Sequence, residues 1–140
     1  MNLIKNVKLS YALPYISTST GSTGCTVSDN QGYEGIMYVL QTGSSASTGV
    51  TMHIESGSSS GMGDGQDLTG TSIVSTSTGH TMIAADVYKP PYRYTWPIVS
   101  CDTESAYQIL AIQYGTRKLP VSQSTDVTAN ELNVGTTGTA

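Results

Sequence analysis

The sequence predicts an all-β protein, a single-domain antiparallel β-sandwich of about seven or eight strands. Three observations predict it. Ser and Thr together number 39 of the 140 residues and Gly adds 15, a mixture that favours strands joined by turns. Charged residues make up only 11%, against roughly a quarter in ordinary domains, so hydroxyls rather than charges keep the surface wet. The stretch Asp86–Lys118 holds most of the large side chains in extended runs, and no catalytic group accompanies them.

Taken in order, residues 3–11 alternate around Leu3, Lys5, Val7 and Leu9 and predict a first strand. Pro14 and the tract STSTGSTG (17–24) are expected to break it into a polar loop. Cys25 and Val27 begin a second strand before the turn signal DNQG (29–32). Residues 33–42 (YEGIMYVLQT) are apolar on both faces, which predicts a central strand. After the loop at 43–49, Val50, Met52 and Ile54 point inward while Thr51, His53 and Glu55 point out. A Gly/Ser/Asp loop (56–67) precedes two more strands, 71–76 and 81–88, around a turn at Ser77–His80. Lys89–Pro91 ends the second of these.

Two runs, Tyr92–Cys101 and Ala106–Tyr114, flank a polar link at Asp102–Ser105 and complete the count. The first alternates, with Tyr92, Tyr94, Trp96 and Ile98 on one face and Arg93, Thr95, Pro97 and Val99 on the other. This stripe reads either as core filling or as an exposed platform for sugar rings or a protein partner. The core reading is preferred, because large aromatics dominate cores. Pro97 marks an edge strand or bulge, since proline removes a ladder donor. No stretch shows a convincing amphipathic helix. The chain divides into a β-sandwich domain, 1–118, and an extended arm, 119–140, in which large apolar residues are sparse.

Several function classes are disfavoured. The net charge of −4 argues against direct nucleic-acid binding, and only Lys5/Lys8 and Arg117/Lys118 form close basic pairs. No apolar run is long enough for a membrane span, and the N-terminus lacks a signal-peptide core. Cys25 and Cys101 read as reduced, buried thiols in a cytoplasmic setting. Asp64 and Asp67 in DGQD offer too few carboxylates for calcium and read as a solvated loop. His53 and His80 have no metal-ligand spacing and read as surface histidines. There is no GxSxG, and no spacing singles out a pair among Glu34, Glu55, Asp86 and Glu104, so no enzyme is expected and no cofactor or metal is assigned.

The opening MNLIKNVKLS, the blocks NQGYEGIMYVL (30–40) and QDLTGTSIV (66–74), the runs ADVYKPPYRYTWPIV (85–99) and AIQYGTRKLP (111–120), and the tail NELNVGTTGTA carry a resemblance. They resemble a family of small tailed-bacteriophage virion proteins of capsid-stabilising type. The resemblance implies a capsid decoration, or cement, protein with a jelly-roll-like sandwich. Such a protein is assembled in the host cytoplasm, lies on the outer face of the head and binds the major capsid protein. No catalytic residues come with it.

The expected function is therefore a non-enzymatic virion component, a homo-oligomer (dimer or trimer) that holds capsid subunits. Its expected partner-binding residues are Asn2, Lys5, Lys89, Tyr92, Arg93, Leu119, Val121, Leu132 and Val134. The arm residues are included because isolated apolar side chains on a polar tail need a pocket elsewhere. The alternatives are a carbohydrate-binding sandwich using an exposed aromatic stripe, and a tail or head–tail joining protein.

Overall fold

A computed structural model describes residues 3–43, 49–117 and 121–128. One helical turn, α1 (Leu3–Asn6), is followed by eight strands: β1 (Lys8–Gly24), β2 (Ser28–Asp29), β3 (Gly35–Thr42), β4 (Thr51–Gly57), β5 (Gln66–Asp67), β6 (Ile73–Val74), β7 (Met82–Tyr88) and β8 (Tyr94–Tyr114). All pairings are antiparallel and belong to one eight-stranded sheet, whose central path runs β5–β4–β8–β3–β7. The all-β class and the strand count agree with the sequence reading.

The sheet doubles over because two of its strands are long enough to serve both halves. The first part of β8 pairs with β4 on one edge and with β2 and the end of β1 on the other. Its last part pairs with β3 on one edge and with the start of β1 on the other. Facing layers β5/β6–β4–β8–β1/β2 and β7–β3–β8–β1 therefore share β1 and β8 as a common spine. The core between them holds Ile36, Tyr38 and Leu40 of β3, Val50 before β4, Met52 and Ile54 of β4, Val99, Tyr107 and Ile109 of β8, and Val87 of β7. β3 is central, paired with β8 on one edge and β7 on the other, as its composition predicted, but only the face of Ile36, Tyr38 and Leu40 is buried, while Met37 and Val39 on the other face are half-buried and Gln41 is exposed.

Several sequence expectations need correction. Residues 3–11 are not one strand: the Val7 N–H bonds the Leu3 carbonyl at 3.0 Å, closing a helical turn before β1 starts at Lys8. Pro14 and the Ser/Thr/Gly tract do not break the chain into a loop. Successive register shifts between Tyr11 and Gly21 show that β1 takes them up as bulges, where the missing proline N–H costs no ladder bond. Gly21 sits in the last of these with φ of 80°, a conformation glycine tolerates.

Asp102–Ser105 is likewise no link between two strands. It has no Gly or Pro to reverse the chain, and β8 runs through it as one bent strand of 21 residues. The polarity of the segment reflects an exposed bend at Asp102–Glu104.

The fourth correction concerns the aromatic stripe. Thr95, Pro97, Val99 and Cys101 are the buried face of β8, while Tyr94, Trp96 and Ile98 are half-buried on the outside and Tyr92 is exposed. Both faces of this run are apolar enough to be buried, and period two reveals two faces without saying which is inside. Tyr38 and Tyr107, both fully buried, already fill the interior, which leaves room only for smaller side chains opposite them.

Pro97 lies at neither an edge nor a bulge of β8. The N–H and C=O of its β4 partner Ile54 turn toward Thr71 and Leu68, so Pro97 directs its nitrogen the other way. There it meets the gap Cys25–Val27 between β1 and β2, where no ladder donor is required.

A buried polar network ties the layers together. Asn30 donates from Nδ2 to Thr95 Oγ1 at 2.8 Å, and the Tyr38 hydroxyl lies 2.8 Å from the same oxygen. Gln113 donates from Nε2 to Asn30 Oδ1 at 3.0 Å and to the Asp29 carbonyl at 2.7 Å. Among the described residues no buried side-chain nitrogen or oxygen lacks a partner.

Candidate interaction surface

The network supports one end of the molecule, where three chain segments meet: 29–34 before β3, 88–93 between β7 and β8, and 114–117 after β8. They are laced by backbone bonds. The Asn30 N–H donates to the Arg93 carbonyl (2.9 Å), Lys89 N–H to Glu34 (2.7 Å), Glu34 N–H to Tyr114 (3.0 Å) and Arg117 N–H to Gly32 (3.2 Å). Lys89 takes a positive φ of 51°, and Pro90–Pro91 then fixes the direction of the chain toward Arg93. Loops tied in this way present their side chains on a set frame rather than on mobile tips.

Two adjoining hollows open there. One, of about 510 Å³, includes Asn30, Glu34, Lys89, Tyr92, Arg93 and Arg117 in its lining. The other, of about 480 Å³, shares Arg117 and adds Lys8, Val121 and Ser122. Four of the six Lys and Arg residues in a chain of net charge −4 thus gather at one end. Asp29 and Glu34 sit among them, so the surface is mixed rather than a continuous phosphate-tracking stripe.

Arg93 grips Asp29 with both arms, Nε to Oδ1 at 2.8 Å and Nη2 to Oδ2 at 2.6 Å, and its guanidinium stands 5.1 Å over the Tyr94 ring. The hydrogen bond from Arg93 holds the Asp29 carboxyl below its usual range. A depressed carboxyl pKa adds stability above the ordinary Asp range, and that stability is lost as the pH falls through the folded-state value. The pair is solvent-exposed, so its effect on stability is small and its main result is a fixed guanidinium.

The sequence-predicted contact residues divide as follows. Lys89, Tyr92, Arg93 and Val121 line the two hollows. Lys5 lies in α1 beside them, its carbonyl accepting the Val121 N–H at 3.1 Å. Asn2, Leu119, Leu132 and Val134 lie outside the described residues.

The described part of the arm, 121–128, lies on its own chain. Gln123 donates from Nε2 to the carbonyls of Ile4 and Val7 and accepts the Leu9 N–H at Oε1, while Asp126 accepts the Tyr11 N–H. Sequence reasoning missed Lys8 and Arg117 as members of the same surface, because each looked like half of a separate basic pair. It also missed Asn30 and Gln113 as supports, since neither stands in a motif.

Other candidates resolve in plain structural terms. Asp64 staples its loop, accepting the Ser58 N–H and hydroxyl at Oδ2 and the Ser59 N–H at Oδ1. Cys25 and Cys101 are both buried, as expected. Burial pushes the Cys25 thiol up to about 12 and raises that of Cys101, so neither is a thiolate nucleophile at neutral pH. Among the described residues no helix is long and apolar enough to cross a membrane.

No family model and no curated protein matches the chain. Among solved structures, it is similar to a chain of the assembly described as "Bacillus endospore appendages form a novel family of disulfide-linked pili". The likeness covers 81% of this chain and 92% of that one at 14% identity, with a TM-score of 0.47. At that identity and score it carries no functional argument.

Proposed function

We propose that this chain is a non-enzymatic structural subunit that binds other protein subunits, and specifically a capsid decoration protein of a tailed phage. In this reading it sits on the outer face of the head as a dimer or trimer and stabilises the shell by holding the major capsid protein. The observation that carries the binding role is the gathering of Lys8, Lys89, Arg93 and Arg117 on a braced frame at one end of an otherwise acidic chain. Such an end suits an acidic face on a protein partner, and its fixed loops lower the ordering cost of binding. The phage assignment rests on the sequence resemblance alone.

The test is co-sedimentation with empty capsids. Charge reversal by Lys89→Glu with Arg117→Glu is expected to lower affinity by about tenfold or more, and rising salt is expected to weaken the wild type in parallel. Equal binding by the double variant would remove this surface from the function. A copy number matching the shell lattice fits decoration, whereas a single ring's worth fits a head–tail joining protein.

A second reading is favoured by one observation: Tyr92, Tyr94 and Trp96 face outward rather than into the core. Aromatic rings on a sheet face can stack on sugars, which would make the chain a carbohydrate-binding module. Trp96 is the single tryptophan, so saturable quenching of its emission by oligosaccharides supports this reading, and unchanged emission across a sugar panel removes it.

A further inference from the structure

The outer face of β4 carries a second cluster, remote in chemistry from the basic end. His53 and Glu55 alternate on one strand and share a face, and Asp67 of β5 is the direct cross-strand partner of Glu55. Their ligand atoms all lie within 4.8 Å of one another, and His53 Nε2 is 3.4 Å from Asp67 Oδ1. We propose that His53, Glu55 and Asp67 form a binding site for a divalent transition-metal ion of the zinc class.

Three observations carry the proposal. The first is spacing. Zinc–ligand bonds of about 2.0–2.2 Å in tetrahedral geometry place neighbouring ligand atoms about 3.4 Å apart, and the His53–Asp67 separation already has that value. Glu55 offers a carboxylate oxygen within 4.8 Å of both.

The second observation is charge. Like charges directly opposite on paired strands repel, and Glu55 faces Asp67. Among the described residues the ion pairs are His53–Asp67 and Arg93–Asp29, so neither Lys nor Arg neutralises these two carboxylates. A bound cation would do so.

The third is support around the ligands. Trp96 donates from Nε1 to Glu55 Oε2 at 2.7 Å, which orients the carboxylate as outer-shell donors do in metal sites. A Cβ on Gly65 would stand 2.8 Å from the same oxygen, so glycine there leaves the carboxylate its space. One imidazole with two carboxylates selects zinc, copper or nickel over calcium, which requires six or more oxygen ligands. Three protein ligands leave a further position for water or a group from another molecule.

Sequence reasoning treated His53 as a plain surface histidine and Asp67 as loop. The pair His53/Glu55 was visible as alternation, but the pairing that adds Asp67 depends on the β4–β5 hairpin, which only the fold shows.

The test uses Trp96 as the reporter and calorimetry as the independent measure, on the full chain. Cu²⁺ or Ni²⁺ is expected to quench Trp96 saturably, with Zn²⁺ competing, and Zn²⁺ is expected to raise the melting temperature. His53→Gln and Asp67→Asn, both at surface positions that should leave folding intact, are each expected to weaken Zn²⁺ binding at least about tenfold. His80→Gln is expected to change nothing. Equal Zn²⁺ isotherms for wild type, His53→Gln and Asp67→Asn would overturn the site. Absence of saturable Zn²⁺ heat would do the same, and Ca²⁺ binding as tight as Zn²⁺ would overturn the assigned metal class.

Discussion

Replacing Tyr38 by Ala is expected to destabilise the fold by about 3–5 kcal/mol, the usual cost of truncating a buried aromatic. Tyr38 is fully buried at the centre of β3 and has paired strands on both sides. A loss of this size approaches the whole stability of a small domain, typically about 5–15 kcal/mol. The melting temperature should fall by about 10–20 °C, at about 3–5 °C per kcal/mol for a chain of this length.

Tyr38→Phe separates ring from hydroxyl. It removes only the oxygen that meets Thr95 Oγ1 at 2.8 Å and the Thr95 carbonyl at 3.1 Å. Its expected cost is about 1–2 kcal/mol, because buried Thr95 Oγ1 loses one of its two partners and keeps only the bond from Asn30. Thr95→Val in the same background should then cost less than in wild type, since one partner is already gone. Additive losses in thermal or urea unfolding would show that the hydroxyls do not act as a unit.

The same core has an alkaline limit. Burial pushes Tyr38 and Cys25 each up to about 12, and burial with the Asp86 hydrogen bond does the same to Tyr114. These groups are neutral when protonated. With folded values above the unfolded ones, their contribution is complete below about pH 8.5–10 and declines as the pH rises toward 12. Unfolding midpoints should therefore drop through that window, and Tyr38→Phe should lessen the drop.

What could be read from the chain alone depended on how local the cause was. Alternation at Val50, Met52 and Ile54 and two-sided apolarity at Ile36–Leu40 are strand-local properties, and both segments fold as expected. The failures share a tertiary cause. Pro14 breaks a lone strand but not one whose partner allows a bulge. Asp102–Ser105 reads as a link unless β1 is known to follow β8 around the bend. Trp96 faces outward because Tyr38 and Tyr107 occupy the interior from other strand segments. The basic end was half legible: Lys89, Tyr92 and Arg93 are neighbours in sequence, whereas Lys8 and Arg117 join them only because β1 and β8 pair at Lys8–Gln113.

Gln123→Leu is the test of what the arm does for its own domain. One face of β1 pairs with β8, and its other edge would present free backbone groups at Leu9 and Tyr11. Gln123 and Asp126 supply side-chain partners there in place of a further strand. Removing the Gln123 amide deletes three hydrogen bonds. Water can reach this partly buried edge, so the expected cost is about 1–3 kcal/mol rather than that of a sealed core. Amide exchange at Leu9 should accelerate while that at Ile36 and Leu40 stays slow. Truncation after Arg117 removes the whole cover, and an open strand edge favours edge-to-edge pairing. Sedimentation velocity should then show self-association that rises with concentration. Unchanged Leu9 exchange and an unaltered sedimentation profile would mean that the arm does not protect this edge. The two variants also separate the arm's two possible duties. If Gln123→Leu keeps capsid binding while the truncated chain loses it, the residues beyond the edge cover contact the partner. If both keep it, the arm serves its own strand and the basic end alone carries the binding.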